Sequence, residues 1–350
     1  MRLEEHVATV GLVDHHVHGW FTRPGDRAAF EAALNEGSPG PVTSGFDLPL
    51  GVAVRRWCAP LLGLPAHASP DDYWDARCAT PYDELAARFV GAAGVDHWVV
   101  DTGLTPELVT EPAPRSEVLR LEVLLEQVLS EADVPAAFRA ALDAARPRIV
   151  GAKTIAAYRC GLAIDWSPPT DAEVVDAARA SGPRVVDPVL VAFGVHEAVR
   201  RGLPLQVHTG LGDRDLDLDR ADPLHLLPLL RSIDTPVLLL HCYPFHRHAG
   251  YLAQAFDHVY FDVGLAINHL GARSVELVAE SLELAPFGKQ LYSSDAYGLP
   301  ELHYLGAQLW RRAMGLVLGE WVRRGDWSEP DAVRVVDLVA SGNARQVYRL

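Results

Sequence analysis

Two histidines separated by one residue, His16 and His18, are the first residues in this chain whose type and spacing could do chemistry. They end a run, Val10-Gly11-Leu12-Val13, that reads as a short buried strand. Alternate side chains of a strand share a face, so His16 and His18 are expected to point one way and His15 and Val17 the other. Two imidazoles so placed can reach one small cation, and imidazole is the commonest protein ligand for zinc-like metals. Four more ionisable residues close apolar runs: Lys153 after Ile149–Ala152, His208 after Leu203–Val207, His241 after Pro236–Leu240, and Asp295 after Gln290–Ser294. Three or four imidazoles with one carboxylate form a hard-to-borderline N/O site. That set suits Zn²⁺ best, with Mn²⁺, Fe²⁺, Co²⁺ or Ni²⁺ as alternatives. An open coordination position would make the site catalytic, the metal lowering the pKa of bound water and supplying hydroxide. Asp295 would both ligate and take the proton of the attacking water, returning it later to the leaving group.

The elements that must position these residues follow a rhythm. Short β-branched or apolar runs alternate with longer amphipathic stretches rich in Ala, Leu and Arg. Expected strands are Leu12–His18, His97–Thr102, Val118–Leu121, Ile149–Ile155, Leu203–His208, Pro236–His241, His258–Val263 and Lys289–Ser294; the third also reads as the start of a helix, Val118–Leu129. Alternation of strand and helix implies parallel strands with right-handed crossovers, and eight such units imply an α/β fold of the (β/α)8 TIM-barrel type. In that barrel the catalytic groups lie at the C-terminal ends of strands, where the six residues above fall, and His15 should point away from the interior. The segment 21–95 breaks the rhythm with Trp, Pro, Gly and helical pieces such as Arg27–Leu34 and Glu84–Phe89. It reads as a helical cap inserted after the first strand of a single domain covering residues 1–350. Glu301–Leu350 reads as the last barrel helix plus one or two helices closing the barrel bottom.

The set Asp14-x-His16-x-His18, Lys153, His208, His241 and Asp295 resembles the amidohydrolase superfamily of metal-dependent barrel hydrolases, and Ser341-Gly342-Asn343-Ala344-Arg345 is similar to the last-helix motif of its second branch. Three stretches, Gly151–Arg159, His208–Asp215 and Ser293–Glu301, resemble the amidohydrolase-like domain fused to glutamine synthetase-like domains in some fungal and plant proteins. This resemblance implies that His16, His18 and Asp295 hold a first metal. In single-metal members His208 completes that site, and His241 orients water or substrate without ligation. In two-metal members a carboxylated lysine bridges the ions, a role open to Lys153, and the later histidines, His241 among them, hold the second. One tightly held ion is the preferred expectation. Lys153 could equally meet a substrate carboxylate as a point charge.

Substrate contacts are expected from Tyr158 and Arg159, the latter able to grip a carboxylate bidentately, and from Trp20 lining the pocket. His246 and His248 read as opening a helix after His241, and His303 reads as helix surface. The expected activity is hydrolysis of a C–N bond, of amide or γ-glutamyl type, in a small polar carboxylate-bearing molecule. The alternative is a metal-dependent decarboxylase of the same branch. A net charge of −15 and the absence of a basic cluster argue against nucleic acid and anionic membranes as partners. No apolar stretch is of membrane-spanning length, the start lacks a signal-peptide layout, and four scattered cysteines without Cys-x-x-Cys fit a reducing cytoplasm. A homodimer is open to such a barrel, although no surface stripe marks an interface.

Overall fold

The computed structural model describes residues 2–36, 44–105 and 109–350. Ten strands occur among them: β1 (Leu12–Val17), β2 (Gly19–Phe21), β3 (Val95–Asp101), β4 (Val109–Thr110), β5 (Arg115–Arg120), β6 (Ile149–Thr154), β7 (Leu205–Thr209), β8 (Val237–His241), β9 (Val259–Phe261) and β10 (Tyr297–Gly298). Seven form one parallel sheet in the order β1-β3-β5-β6-β7-β8-β9, with helices in the connections as the sequence rhythm requires. The third barrel strand, β5, begins ahead of its expected start and ends where the helix Leu121–Val128 takes over. β2, at the start of the expected insertion, pairs on one side with β10 and on the other with β4 from the loop after β3, forming a small second sheet.

The eighth barrel position is filled by residues 290–295 without a regular ladder. Leu291 N donates to Phe261 O (3.0 Å) on one side, and His15 N donates to Tyr292 O (3.1 Å) on the other, so the sheet curls shut. The ladder fails because the donors of this segment are engaged elsewhere. Tyr292 N bonds Val339 O, and Ser294 N bonds the Asp14 carboxylate at 3.0 Å. Asp295 itself sits at φ +50°, outside strand geometry.

A cluster of Val13, Val99, Val118, Leu238, Leu291, Ala344, Val347 and Tyr348 fills the barrel interior, with the helix Asn343–Tyr348 inserted from the bottom. β1 carries a bulge there. Asp14 pairs with Trp98 and Val17 with Val100, three steps along β1 against two along β3. An extra residue lets neighbouring side chains turn to the same side. Val13 and His15 therefore face the interior floor while His16 and His18 face the mouth. The expectation that His15 points away from the interior is thus corrected: it is fully buried against Asp262 and Tyr348.

The segment between β2 and β3 contains the helices Arg27–Ala32, Pro49–Trp57, Pro70–Ala79 and Tyr82–Ala92. Asp26 and Ser69 cap two of them by accepting from backbone N–H groups of the first turn. Their apolar residues Phe30, Leu50, Tyr73 and Phe89 share one cluster with Leu305, Leu309 and Trp310 of the helix Pro300–Arg324. A buried ion pair joins the two parts: Arg77 Nε donates to Glu301 Oε1 at 2.6 Å, with both side chains at most 2% exposed.

Candidate metal centre

His16 and His18 stand at the end of β1, beside the loop that carries Asp295. His16 Nε2 lies 3.2 Å and His18 Nε2 3.3 Å from Asp295 Oδ1, while His241 Nδ1, at the end of β8, lies 3.4 Å from Asp295 Oδ2. The His16 and His241 rings are 5.5 Å apart. His208, at the end of β7, packs its ring at a tilt 4.6 Å from those of both His241 and Tyr158. Lys153 Nζ, from β6, is 3.1 Å from His16 Nε2. Lys153, His16, His208 and His241 are all at least 95% buried. The fold thus brings together all six residues expected at strand ends.

The donor set fits a cation. His18 Nδ1 lies 3.1 Å from the carbonyl oxygen of Asp101, an acceptor only, so the ring proton sits on Nδ1 and the Nε2 lone pair faces Asp295. Two lone-pair atoms 3.3 Å apart repel unless a cation or proton lies between them. Buried atoms of the cluster also lack hydrogen-bond partners: His16 Nδ1, His208 Nε2, His241 Nδ1 and Asp295 Oδ1. Two groups have ligand atoms close enough to share an ion, His16–His18–Asp101 and His16–His241–Asp295.

Protonation states agree. Burial, aided by the charge of Lys153, lowers His16 to about 4, and burial holds His208 and His241 well below the usual histidine range. All three are neutral imidazoles at neutral pH, the form that ligates. Burial alone would raise Asp295, but its closeness to His241, His16 and His18 outweighs it and holds the carboxyl well below its ordinary value. Burial lowers Lys153 to about 8, against the pull of Asp101 and Asp295. Asp14, whose carboxylate accepts from Ser294 N and Oγ, fixes the loop that presents Asp295.

Three contributors were missed in the sequence. Asp101 ends β3 and Arg120 ends β5, and Arg120 donates to Asp101 Oδ2 from Nε (3.1 Å) and Nη2 (2.6 Å). Both sit at strand ends, so the rule that located His208 could have located them. Glu36 is a third, its Oε2 4.0 Å from His269 Nε2. Burial, then the charges of Asp295 and Asp213, raise its pKa to about 7.

Of the expected substrate contacts, Tyr158 stands against His208, with its hydroxyl oxygen accepting from Asp213 N at 3.3 Å. Arg159 is not brought to the cluster: its guanidinium is paired with Glu126 at 2.6 Å and donates to Val185 O. Trp20 packs edge-on against His303, 5.6 Å between centroids. His303 is corrected from helix surface to core: it is fully buried between Trp20 and Trp98. His246 and His248 open the helix His246–Ala255, as expected, and pair with Glu280 and Asp222.

Comparison with known proteins bears on this geometry. The family model described as amidohydrolase matches residues 13–350. The chain belongs to the amidohydrolase family. Membership implies a metal-dependent enzyme with a divalent ion. Protein fluG of Emericella nidulans is 31% identical over 226 residues, 59% of this chain and 26% of that protein, so the amidohydrolase chain spans about a quarter of its curated relative. A proposed metal-dependent hydrolase from Lactobacillus casei superposes with a TM-score of 0.83 at 25% identity, covering 99% of this chain and 97% of that one. A uronate isomerase from Bacillus halodurans shares the fold, with a TM-score of 0.67 at 14% identity over 99% and 95% of the two chains. Among the described residues no helix is long and apolar enough to cross a membrane.

Proposed function

We propose that this amidohydrolase cleaves a C–N bond, of amide or γ-glutamyl type, in a small polar substrate bearing a carboxylate. The observation that carries the reading is the convergence of the His16, His18 and His241 imidazole nitrogens on an ionised Asp295. His16, His18, His208 and Asp295 would hold one ion, Zn²⁺ for this donor set, with His241, whose ligand atom lies within reach of those of His16 and Asp295, as a further ligand. Bound there, a divalent cation would polarise the scissile carbonyl and make water a competent nucleophile at neutral pH. Asp295 remains a carboxylate at working pH and can accept the proton of the attacking water, then return it to the departing nitrogen. His241 Nδ1, 3.4 Å from Asp295 Oδ2, is placed to share the ion with that carboxylate.

Charge supports an anionic substrate. Around the imidazoles the cations Arg120 and Lys153 balance the carboxylates Asp101 and Asp295, so a divalent ion would add positive charge to the inner site. Lys153 is the cation placed to meet a substrate carboxylate, with Tyr158 against His208. The helical segment after β2 covers this mouth in the same reading, since its Glu36 faces His269.

The test is metal analysis of the purified protein followed by assay against γ-glutamyl amides and N-acyl amino acids. Release of amine or ammonia that is lost in His16→Ala supports the reading. CO₂ release from aromatic or enol carboxylic acids would replace it with the decarboxylase, and interconversion of uronate aldoses and ketoses with an isomerase.

A further inference from the structure

Beneath the metal centre lies a hydrogen-bonded chain whose members are all at least 95% buried. Gln206 Nε2 donates to the Tyr348 hydroxyl oxygen at 2.8 Å, and that hydroxyl is 3.2 Å from His15 Nδ1. His15 Nε2 is 3.0 Å from Asp262 Oδ2. The other oxygen of Asp262 accepts from His241 N at 3.1 Å and from Gly264 N at 2.7 Å. With a carboxylate at its far end, one assignment of protons satisfies every link. Gln206 donates to Tyr348, Tyr348 donates to Nδ1 of His15, and the Nε2 proton of His15 goes to Asp262.

The upper end of this chain meets strained backbone. His241 sits at φ +67° and Cys242 at φ +61°, the left-handed region that non-glycine residues enter only at a cost. Such a conformation persists only where its surroundings hold it. The Asp262 carboxylate is the side chain that receives the His241 N–H. Tyr348 belongs to the helix that plugs the barrel floor, so the brace reaches from the floor to the metal centre.

We infer that Asp262 is a positioning residue for the metal centre: it pins the left-handed backbone of His241, and His15, Tyr348 and Gln206 hold Asp262 in turn. The inference rests on the reading of His16, His241 and Asp295 as a metal site.

The test measures Zn²⁺ affinity of chelator-stripped protein by competition with a chromogenic chelator, together with the visible spectrum of the Co²⁺-loaded form. Asp262→Ala should weaken Zn²⁺ binding by roughly 10–100-fold, the usual effect of removing a group that orients a ligand, and should alter the Co²⁺ bands. Asp262→Asn keeps an acceptor oxygen for both N–H groups and can donate its amide to a re-protonated His15. It should restore affinity to within about threefold of wild type. Tyr348→Phe, which cuts the chain far from the ion, carries the test if Asp262→Ala does not fold; roughly threefold or greater weakening is expected. A purely structural role would lower the thermal midpoint of the metal-free variants while leaving Zn²⁺ affinity and the Co²⁺ spectrum at wild-type values. That result overturns the inference alone. A wild-type protein that binds neither ion overturns the metal reading with it.

Discussion

His303 supplies a prediction that can be worked through from its surroundings. It is fully buried between Trp20 and Trp98, and burial lowers its pKa from 6.5 to about 3. Between those values the unfolded chain binds the proton and the folded protein refuses it. By linkage, stability falls as pH drops below about 6.5 and goes on falling until pH reaches the folded pKa. From pH 7 to pH 5 the single-site expression gives a loss of about 2 kcal/mol from this residue. His303→Phe removes the site and keeps an aromatic ring between the two indoles. Any packing penalty it brings is the same at both pH values and cancels in the difference. The assay is urea unfolding followed by tryptophan fluorescence at pH 7 and pH 5, with chelator present so that metal release does not contribute. The variant should lose about 2 kcal/mol less than wild type between the two conditions. Equal losses in the two proteins would refute the burial of a neutral His303.

Other perturbations test the site directly. Lys153→Ala should remove one of two ions if the lysine bridges them, and leave metal content unchanged with a raised KM if it meets substrate; metal analysis beside steady-state kinetics separates the two. Gly212→Ala would put a Cβ 2.2 Å from the Tyr158 hydroxyl oxygen and 3.3 Å from His208 Nε2. It should cost about 1–3 kcal/mol in urea unfolding and lower activity by displacing Tyr158. Arg120→Met leaves Asp101 buried without its cation. A loss of about 3–5 kcal/mol is expected, and a neutral effect in urea unfolding would show that the pair does not hold the mouth of the barrel.

Much of the barrel is legible because buried parallel strands read as apolar runs, and the runs ending in Lys153, His208 and His241 are broken by one ionisable residue where the strand meets the mouth. The eighth position was harder. Its donors go to the Asp14 carboxylate and to Val339, partners that no local pattern reveals. The bulge in β1 was illegible for a related reason: strict alternation places His15 opposite His16, and the extra residue is visible only in the pairing with β3. His303 looked like surface because a polar residue at the start of a helix usually faces water. Here that turn is enclosed on several sides, with Pro300, Glu301, Leu302 and His303 all buried. Arg159 and Glu126 form their pair across 33 residues, so spacing near Lys153 could not show it. Asp101 and Arg120 stood at strand ends in plain sight, but their mutual pairing depends on two strands lying side by side.

The order in which the metal-facing residues occur along the chain has a kinetic consequence. His16 and His18 are near neighbours and can chelate an ion before any barrel exists. Asp295, by contrast, reaches them only when residues 290–295 close against β1, one of the longest-range contacts in the molecule. An ion present from the start therefore also stabilises the unfolded chain and weakens its own net contribution to stability. Refolding in chelator with metal added afterwards should give more loaded enzyme than refolding in metal throughout.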